Sequence, residues 1–179
     1  MNLKSLAIAG AAACLISSTA LIGTAMAGER PMGEPVEKNG MQIGGVYLQA
    51  VMMEPHMAGH DHADVHIEAD IKGIKGNNNG FGEGEWIPYL DVGYTISKSG
   101  SGFKKSGTLF PMVASDGPHY GDNIKMDGPG KYHVVYTIKP GAHNFLRHTD
   151  KETGVGAWYA PFTVEYDFAY TGTGAKSGY

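Results

Sequence analysis

Cysteine is nearly absent from this chain, whose 179 residues contain one, Cys14, close to the start. Without cysteine, residues 28–179 cannot form disulfides, thiolate zinc sites or cysteine-ligated iron–sulfur clusters, and they lack the thiolate of a blue-copper centre. Any metal held there depends on histidine, methionine, carboxylate or backbone oxygen.

Runs of basic residues are also missing. The chain carries 14 Lys and Arg against 18 Asp and Glu, which gives a formal net charge of −4 at pH 7. An acidic chain without a basic patch is a poor match for nucleic acid or for an anionic membrane surface. We therefore expect neither as a partner.

Long hydrophobic runs are confined to the first residues. Lys4 precedes a largely apolar stretch, 6–22, and Ala25-Met26-Ala27 fits the small-x-small pattern of signal cleavage. Because polar residues interrupt the apolar stretch, we interpret residues 1–27 as a removed signal peptide, not a membrane span. Lipidation of the single cysteine is the less favoured alternative, since no leucine stands in the three residues before it. The sequence thus predicts export to the periplasm, with no membrane insertion of the mature chain.

Strand-forming residues concentrate in short stretches separated by glycine-rich turns, and no long segment has helical spacing. The stretches predicted as strands are 46–51, 65–71, 87–97, 103–112, 132–138 and 162–170. Roughly seven short strands in a chain of this length predict one antiparallel β-sandwich domain over residues 28–179. The small, polar tail 171–179 is expected to be flexible.

Metal-seeking side chains form the main functional signal. His66, Glu68 and Asp70 alternate with apolar residues, so an extended chain places all three on one face. Three further donors follow along the chain: Met112, His119 and His148. Histidine suits copper and iron, methionine favours copper(I), and carboxylate favours harder ions. This donor set predicts a carrier of a redox-active metal.

Each candidate also has an ordinary structural interpretation. A strand with one wet face would carry His66 and Glu68 as solvated polar residues, and a lone Met112 more often fills a core. His119 is expected in a loop after an Asp-Gly-Pro turn, and His148 in a charged loop. Asp70 is expected either to support the ligands from behind or to be structural. The combination of donors favours a site over these separate interpretations.

A second group of donors lies in the segment 56–62, and its members are His56, Met57, His60 and His62. Short histidine-rich tracts gather metal weakly without fixed geometry. A solvated loop without a metal role is an equally good interpretation, and both stay open. The remaining histidines, His133 and His143, are expected to be structural.

Five motifs carry a resemblance, and they span residues 46–49, 68–71, 82–90, 111–121 and 147–156. They resemble the periplasmic high-affinity ferrous-iron transport proteins, which accompany an iron permease of the inner membrane. The resemblance runs from about Gly44 to Tyr170. It implies an immunoglobulin-like β-sandwich, a homodimer, and a site that binds copper and is thought to handle iron.

The resemblance also implies the ligands of that site. His66, Glu68, Met112, His119 and His148 match the metal-binding positions of the family. The segment 56–62 is richer in donors than the family leads us to expect.

Three functions are weighed on these grounds. The leading hypothesis is a periplasmic carrier that binds copper and iron and passes iron to the permease. The alternative is a periplasmic copper buffer or chaperone, because divalent copper outcompetes ferrous iron at nitrogen sites. An enzyme is not expected, since the sequence offers no nucleophile–base pair and no second histidine cluster for a multicopper oxygen site.

Overall fold

The computed structural model describes residues 28–141 and 144–172. The predicted signal peptide, His143 and most of the predicted flexible tail lie outside the described residues. No helix in the described part of the chain is long and apolar enough to cross a membrane.

Antiparallel β-strands make up almost all of the regular secondary structure in the described residues, which confirms the all-β prediction. The strands are β1 (Arg30–Pro31), β2 (Val36–Lys38), β3 (Met41–Gln49), β4 (Val65–Gly73), β5 (Asp91–Lys98), β6 (Lys104–Ala114), β7 (Gly117–Ile124), β8 (Gly130–Lys139) and β9 (Phe162–Tyr170). A short 3-10 turn lies at His60–His62. The immunoglobulin-like arrangement in particular stays a prediction.

One strand connects the two halves of the sheet. The strands follow the order β1-β3-β4-β7-β6-β5-β8-β9, and β2 pairs separately with β3. The first part of β6 pairs with β5 up to Leu109, and the second part pairs with β7 from Phe110 onward. The sheet can therefore curl so that β3 and β4 face β8 and β9 across a shared core.

Tyrosines tie these facing halves together. The Tyr136 hydroxyl of β8 donates to the Glu68 carbonyl of β4 at 3.0 Å, and the Tyr166 hydroxyl of β9 donates to the Ile43 carbonyl of β3 at 2.7 Å. A buried hydroxyl costs stability unless it has such a partner. These bonds fix β4 against the opposite layer, and β4 carries two of the candidate ligands.

The strand β7 corrects one expectation from the sequence. We predicted His119 in a loop, but it lies within β7 and is buried. The turn occupies only Ser115 and Asp116, and Gly117 and Pro118 already belong to the strand. Hydrogen bonding to β4 on one side and to β6 on the other outweighs the weak strand propensity of this glycine-containing segment.

Candidate metal centre

Three neighbouring strands bring four of the predicted ligands together. On β4, His66 and Glu68 share the face that points away from the aliphatic core residues Ile67 and Ala69. Glu68 lies opposite Gly121 of β7, and His119 of β7 lies opposite Met112 of β6. The register of the sheet, not proximity in sequence, assembles the group.

The nitrogen and oxygen donors of this group converge on one point. The Nε2 atom of His66 lies 3.5 Å from the Oε1 atom of Glu68, and the Nε2 atom of His119 lies 3.6 Å from the same oxygen. The ligand atoms of these three residues all lie within 4.8 Å of one another. The two imidazole rings meet nearly edge to face, with an angle of 78° between their planes.

Asn123 sets the tautomer of His66. The Asn123 Nδ2 donates to the Val51 carbonyl at 2.7 Å, so the other amide atom, Oδ1, is the acceptor for His66. The Nδ1 of His66 lies 2.9 Å from that oxygen and must therefore donate its proton. The lone pair of His66 is thus on Nε2, which faces Glu68. Such a hydrogen bond to the outer ring nitrogen is the usual support of a metal-ligating histidine.

The Nε2 atoms of His66 and His119 are buried and have no hydrogen-bond partner. His66 is 1% exposed, His119 is 6% exposed and Glu68 is 5% exposed. Buried polar atoms are nearly always paired, and the separations to Glu68 are too long for good hydrogen bonds. A cation between the donors would satisfy them all, and the donor set is of the kind that copper or iron accepts.

A glycine makes room for the fourth donor. A Cβ atom at Gly121 would lie 2.5 Å from the His66 Nε2 and 3.2 Å from the Met112 Sδ. The thioether and the imidazole therefore share the space directly above Gly121, and any side chain there would fill it. Met112 is half-buried at this position and lines the same cavity as His66, Glu68 and His119.

Burial shifts the pKa values of His66 and Glu68 in opposite directions. Desolvation lowers the pKa of His66 to about 4, opposed by the hydrogen bond to Asn123. Desolvation, with the charges of Asp70, Glu29 and Asp116, raises the pKa of Glu68 to about 8. Without metal at pH 7, His66 is neutral and Glu68 is mostly protonated.

Further carboxyls lie near Glu68, and two of them, Glu29 and Asp116, are not among the residues predicted from the sequence. Glu29 and Asp116 are hydrogen-bonded to each other, and burial together with Asp116 raises the pKa of Glu29 to about 7. They line a cavity of about 220 Å³ with Glu68, Asp70 and His119. Asp70, expected to support the ligands or to be structural, has a pKa raised mainly by burial. Only the fold brings Glu29 here, whereas Asp116 could have been noticed between Met112 and His119.

His148, the fifth predicted ligand, is not brought to this group within the described chain. Its side chain is 74% exposed, and its Nδ1 lies 2.7 Å from the Thr153 hydroxyl in the loop that precedes β9. Among the described residues, the histidines and carboxylates close enough together to share one metal ion are His66, Glu68 and His119, and His148 is not among them.

The donors of the segment 56–62 separate into different environments. The His60 Nε2 lies 3.0 Å from the Asp122 carboxylate, which also accepts the Tyr94 hydroxyl at 3.0 Å. Residues 56 and 57 line a cavity beside the metal centre, whereas His62 is exposed and does not line it. His133, expected to be structural, pairs with Asp167 at 2.9 Å on the far layer.

Comparison with known proteins gives consistent matches. A family described as Fe2+ transport protein matches residues 26–172. A UPF0423 protein of Brucella abortus is 51% identical over 168 residues, which cover 90% of this chain and 92% of the relative. The 34 kDa membrane antigen of Treponema pallidum is 39% identical over 153 residues, 81% of this chain and 75% of the antigen.

Solved structures match at similar levels. FetP of uropathogenic Escherichia coli is 55% identical with a TM-score of 0.77, over 80% of this chain and 97% of FetP. Copper-reconstituted P19 of Campylobacter jejuni is 50% identical with a TM-score of 0.79, over 82% of this chain and 98% of P19.

Proposed function

The chain belongs to the Fe2+ transport protein family, and from that premise we propose that it is a periplasmic metal-binding protein of a high-affinity iron uptake system. It binds copper and iron at the metal centre and passes iron to an inner-membrane permease. One observation carries the proposal: two buried imidazole nitrogens without partners, those of His66 and His119, face the same oxygen of Glu68.

The donor set suits a metal that changes valence. Copper(I) favours the Met112 thioether and the two imidazoles, whereas copper(II) or iron favours the addition of the Glu68 carboxylate. Relatives support copper as one ligand, since P19 has been solved in a copper-reconstituted form. Bound metal would be held by residues of this chain that are already positioned without it.

Release of iron is as important to a carrier as binding. Described residues contain no thiolate, and thiolates hold soft metals most tenaciously. The cavity of about 680 Å³ that contains the donors is lined by the exposed residues Met52 and Glu54 and by exposed residues at the end of β6. We infer that a partner can approach the metal there. We propose on these grounds that the protein acts as a binding protein.

A homodimer accounts for His148. The resemblance marks this residue as a ligand, but its own chain leaves it exposed and apart from His66, Glu68 and His119. Both statements hold if two copies pair so that His148 of one chain completes the site of the other. The periplasmic location and the removal of residues 1–27 belong to the same proposal, in keeping with a FetP relative that was expressed in the periplasm.

Iron uptake tests the proposal. Deletion of the protein should lower uptake of radioactive ferrous iron and growth under iron limitation, but only in cells that carry the matching permease. His119→Ala should reproduce the deletion, because it removes one of the two orphaned nitrogens. His133→Ala is the matched control, since this histidine lies on the opposite layer and pairs with Asp167.

The copper buffer is the competing function, and one observation favours it: the Met112 sulfur lies beside the His66 nitrogen. Thioether with imidazole is the combination that favours copper(I). Normal iron uptake in the His119→Ala strain, together with new sensitivity to copper, would replace the carrier with the buffer. The copper and iron content of protein purified from the periplasm gives an independent check.

A further inference from the structure

The segment 50–64 between β3 and β4 carries sulfur and nitrogen donors that the metal centre does not use. Its first part is held by Asn123, which bonds both the amide and the carbonyl of Val51. Its last part is held by Asp64, whose carboxylate accepts the Met126 amide at 2.9 Å. The donors therefore stand on a loop with fixed ends.

A cavity of about 760 Å³ lies against this loop. Its lining consists of Ala50, Val51, Met52, Met53, Glu54, His56, Met57, His60 and Ala63. The cavity of the metal centre shares four of these residues, 51–54. The two cavities are therefore neighbours along one short stretch of chain.

Methionines are distributed unusually in this molecule. Met32, Met41 and Met126 are buried in the core, as is normal for this residue. Met52 is fully exposed at 102%, and Met53 and Met57 are only half-buried. A thioether at the wall of an open cavity can bind a soft cation, because thioethers select copper(I) and need not lose a proton to bind it.

We propose that Met53, His56 and Met57 form a second, weaker copper(I) site that loads the metal centre through the stretch shared by the two cavities. Two thioethers and one imidazole suit copper(I), whereas a hard ion would find few oxygen ligands there. The ion moves without a change of valence, so transfer needs no oxidant or reductant. The loading step rests on the proposed function, but copper(I) binding to the loop does not.

Anaerobic titration with copper(I) against a chromophoric copper(I) chelator tests this site. The chelator-treated wild-type protein should bind about two copper(I) ions per chain, one more weakly than the other. The variant Met53→Leu/His56→Ala/Met57→Leu should lose the weaker ion and fill the metal centre about tenfold more slowly at limiting copper(I). His119→Ala should keep the weaker ion. Far-ultraviolet circular dichroism establishes that each variant is folded.

Two matched controls separate the loop from a general loss of donors. Met126→Leu removes a thioether from the core, and His133→Ala removes an imidazole from the far layer; neither lines the two cavities. Both should behave as wild type.

The loop site would be overturned if the triple variant bound as many copper(I) ions per chain as wild type and filled its metal centre as fast. Complete loss of copper(I) binding in His119→Ala would also overturn it. A retained weak ion with a metal centre that never fills would support the loop site and contradict the proposed function instead.

Discussion

Glu68 should destabilise the metal-free fold, and its replacement should reveal this. Its carboxyl is 5% exposed, and its pKa is raised from 4.5 to about 8, mainly by burial. A folded-state pKa above the unfolded value means that this group contributes most to stability below pH 4.5. That contribution is lost as the pH rises through 8. Glu68→Gln removes the titration, so we expect the variant to gain stability over wild type as the pH rises.

The size of the effect follows from the shift. One pKa unit corresponds to about 1.4 kcal/mol, so a change from 4.5 to about 8 has an upper limit of about 4–5 kcal/mol well above pH 8. At pH 7 the linkage relation gives about 3 kcal/mol, because the folded carboxyl is then still mostly protonated. This is a large fraction of the stability of an ordinary domain.

Urea unfolding of chelator-treated protein at about pH 4.5, 7 and 8.5 measures the difference. The free energies of unfolding of wild type and Glu68→Gln should diverge with pH, while Glu37→Gln, an exposed carboxyl on β2, should follow wild type. Addition of copper(II) should invert the order, because the carboxylate then gains a cation that glutamine holds less well. Parallel pH curves for wild type and Glu68→Gln would refute the reasoning.

Two further predictions concern the ligands. Met112→Leu keeps the side-chain volume but removes the thioether beside His66, so the affinity for copper(I) should fall about tenfold or more and the affinity for copper(II) far less. Competitive titration with copper(I) and with copper(II) measures both affinities. Equal losses would count against a role for Met112 as a soft ligand. In mixed dimers of a His148→Ala chain with a His119→Ala chain, about one intact site per dimer should remain if His148 acts across the interface, since both lesions then fall in one site. Native mass spectrometry with copper counts the sites, and dimers without any intact site would place His148 in its own chain's centre.

Strands whose residues alternate between apolar and polar can be predicted from the sequence. The segment 162–170 is predicted and found as β9, and 65–71 falls within β4, because alternation of buried and exposed residues is a local signal. β7 was missed since Gly117-Pro118 and Gly121-Asp122-Asn123 have the composition of turns. Pairing on both sides makes it a strand, and no local pattern reports that pairing.

The same limit applies to the metal centre. Alternation along β4 places His66 and Glu68 on one face, but it does not reveal what opposes them. The strand register supplies Asn123 opposite His66 and Gly121 opposite Glu68, and neither residue type signals a metal site by itself. Glu29 reaches the site from the start of the described chain, so its part depends wholly on the fold.

One physical cause gives His66 and Glu68 opposite roles before metal arrives. Removal from water disfavours charge, so it strips the proton from the imidazole and leaves one on the carboxyl. An incoming cation then finds the His66 lone pair ready, with its tautomer already fixed by Asn123, and must displace the Glu68 proton. Because that displacement becomes easier up to about pH 8, the carboxyl and not the His66 imidazole couples metal affinity to pH near neutrality. Binding at this centre is therefore linked to Glu68, a group whose burial weakens the empty fold, and metal relieves that cost.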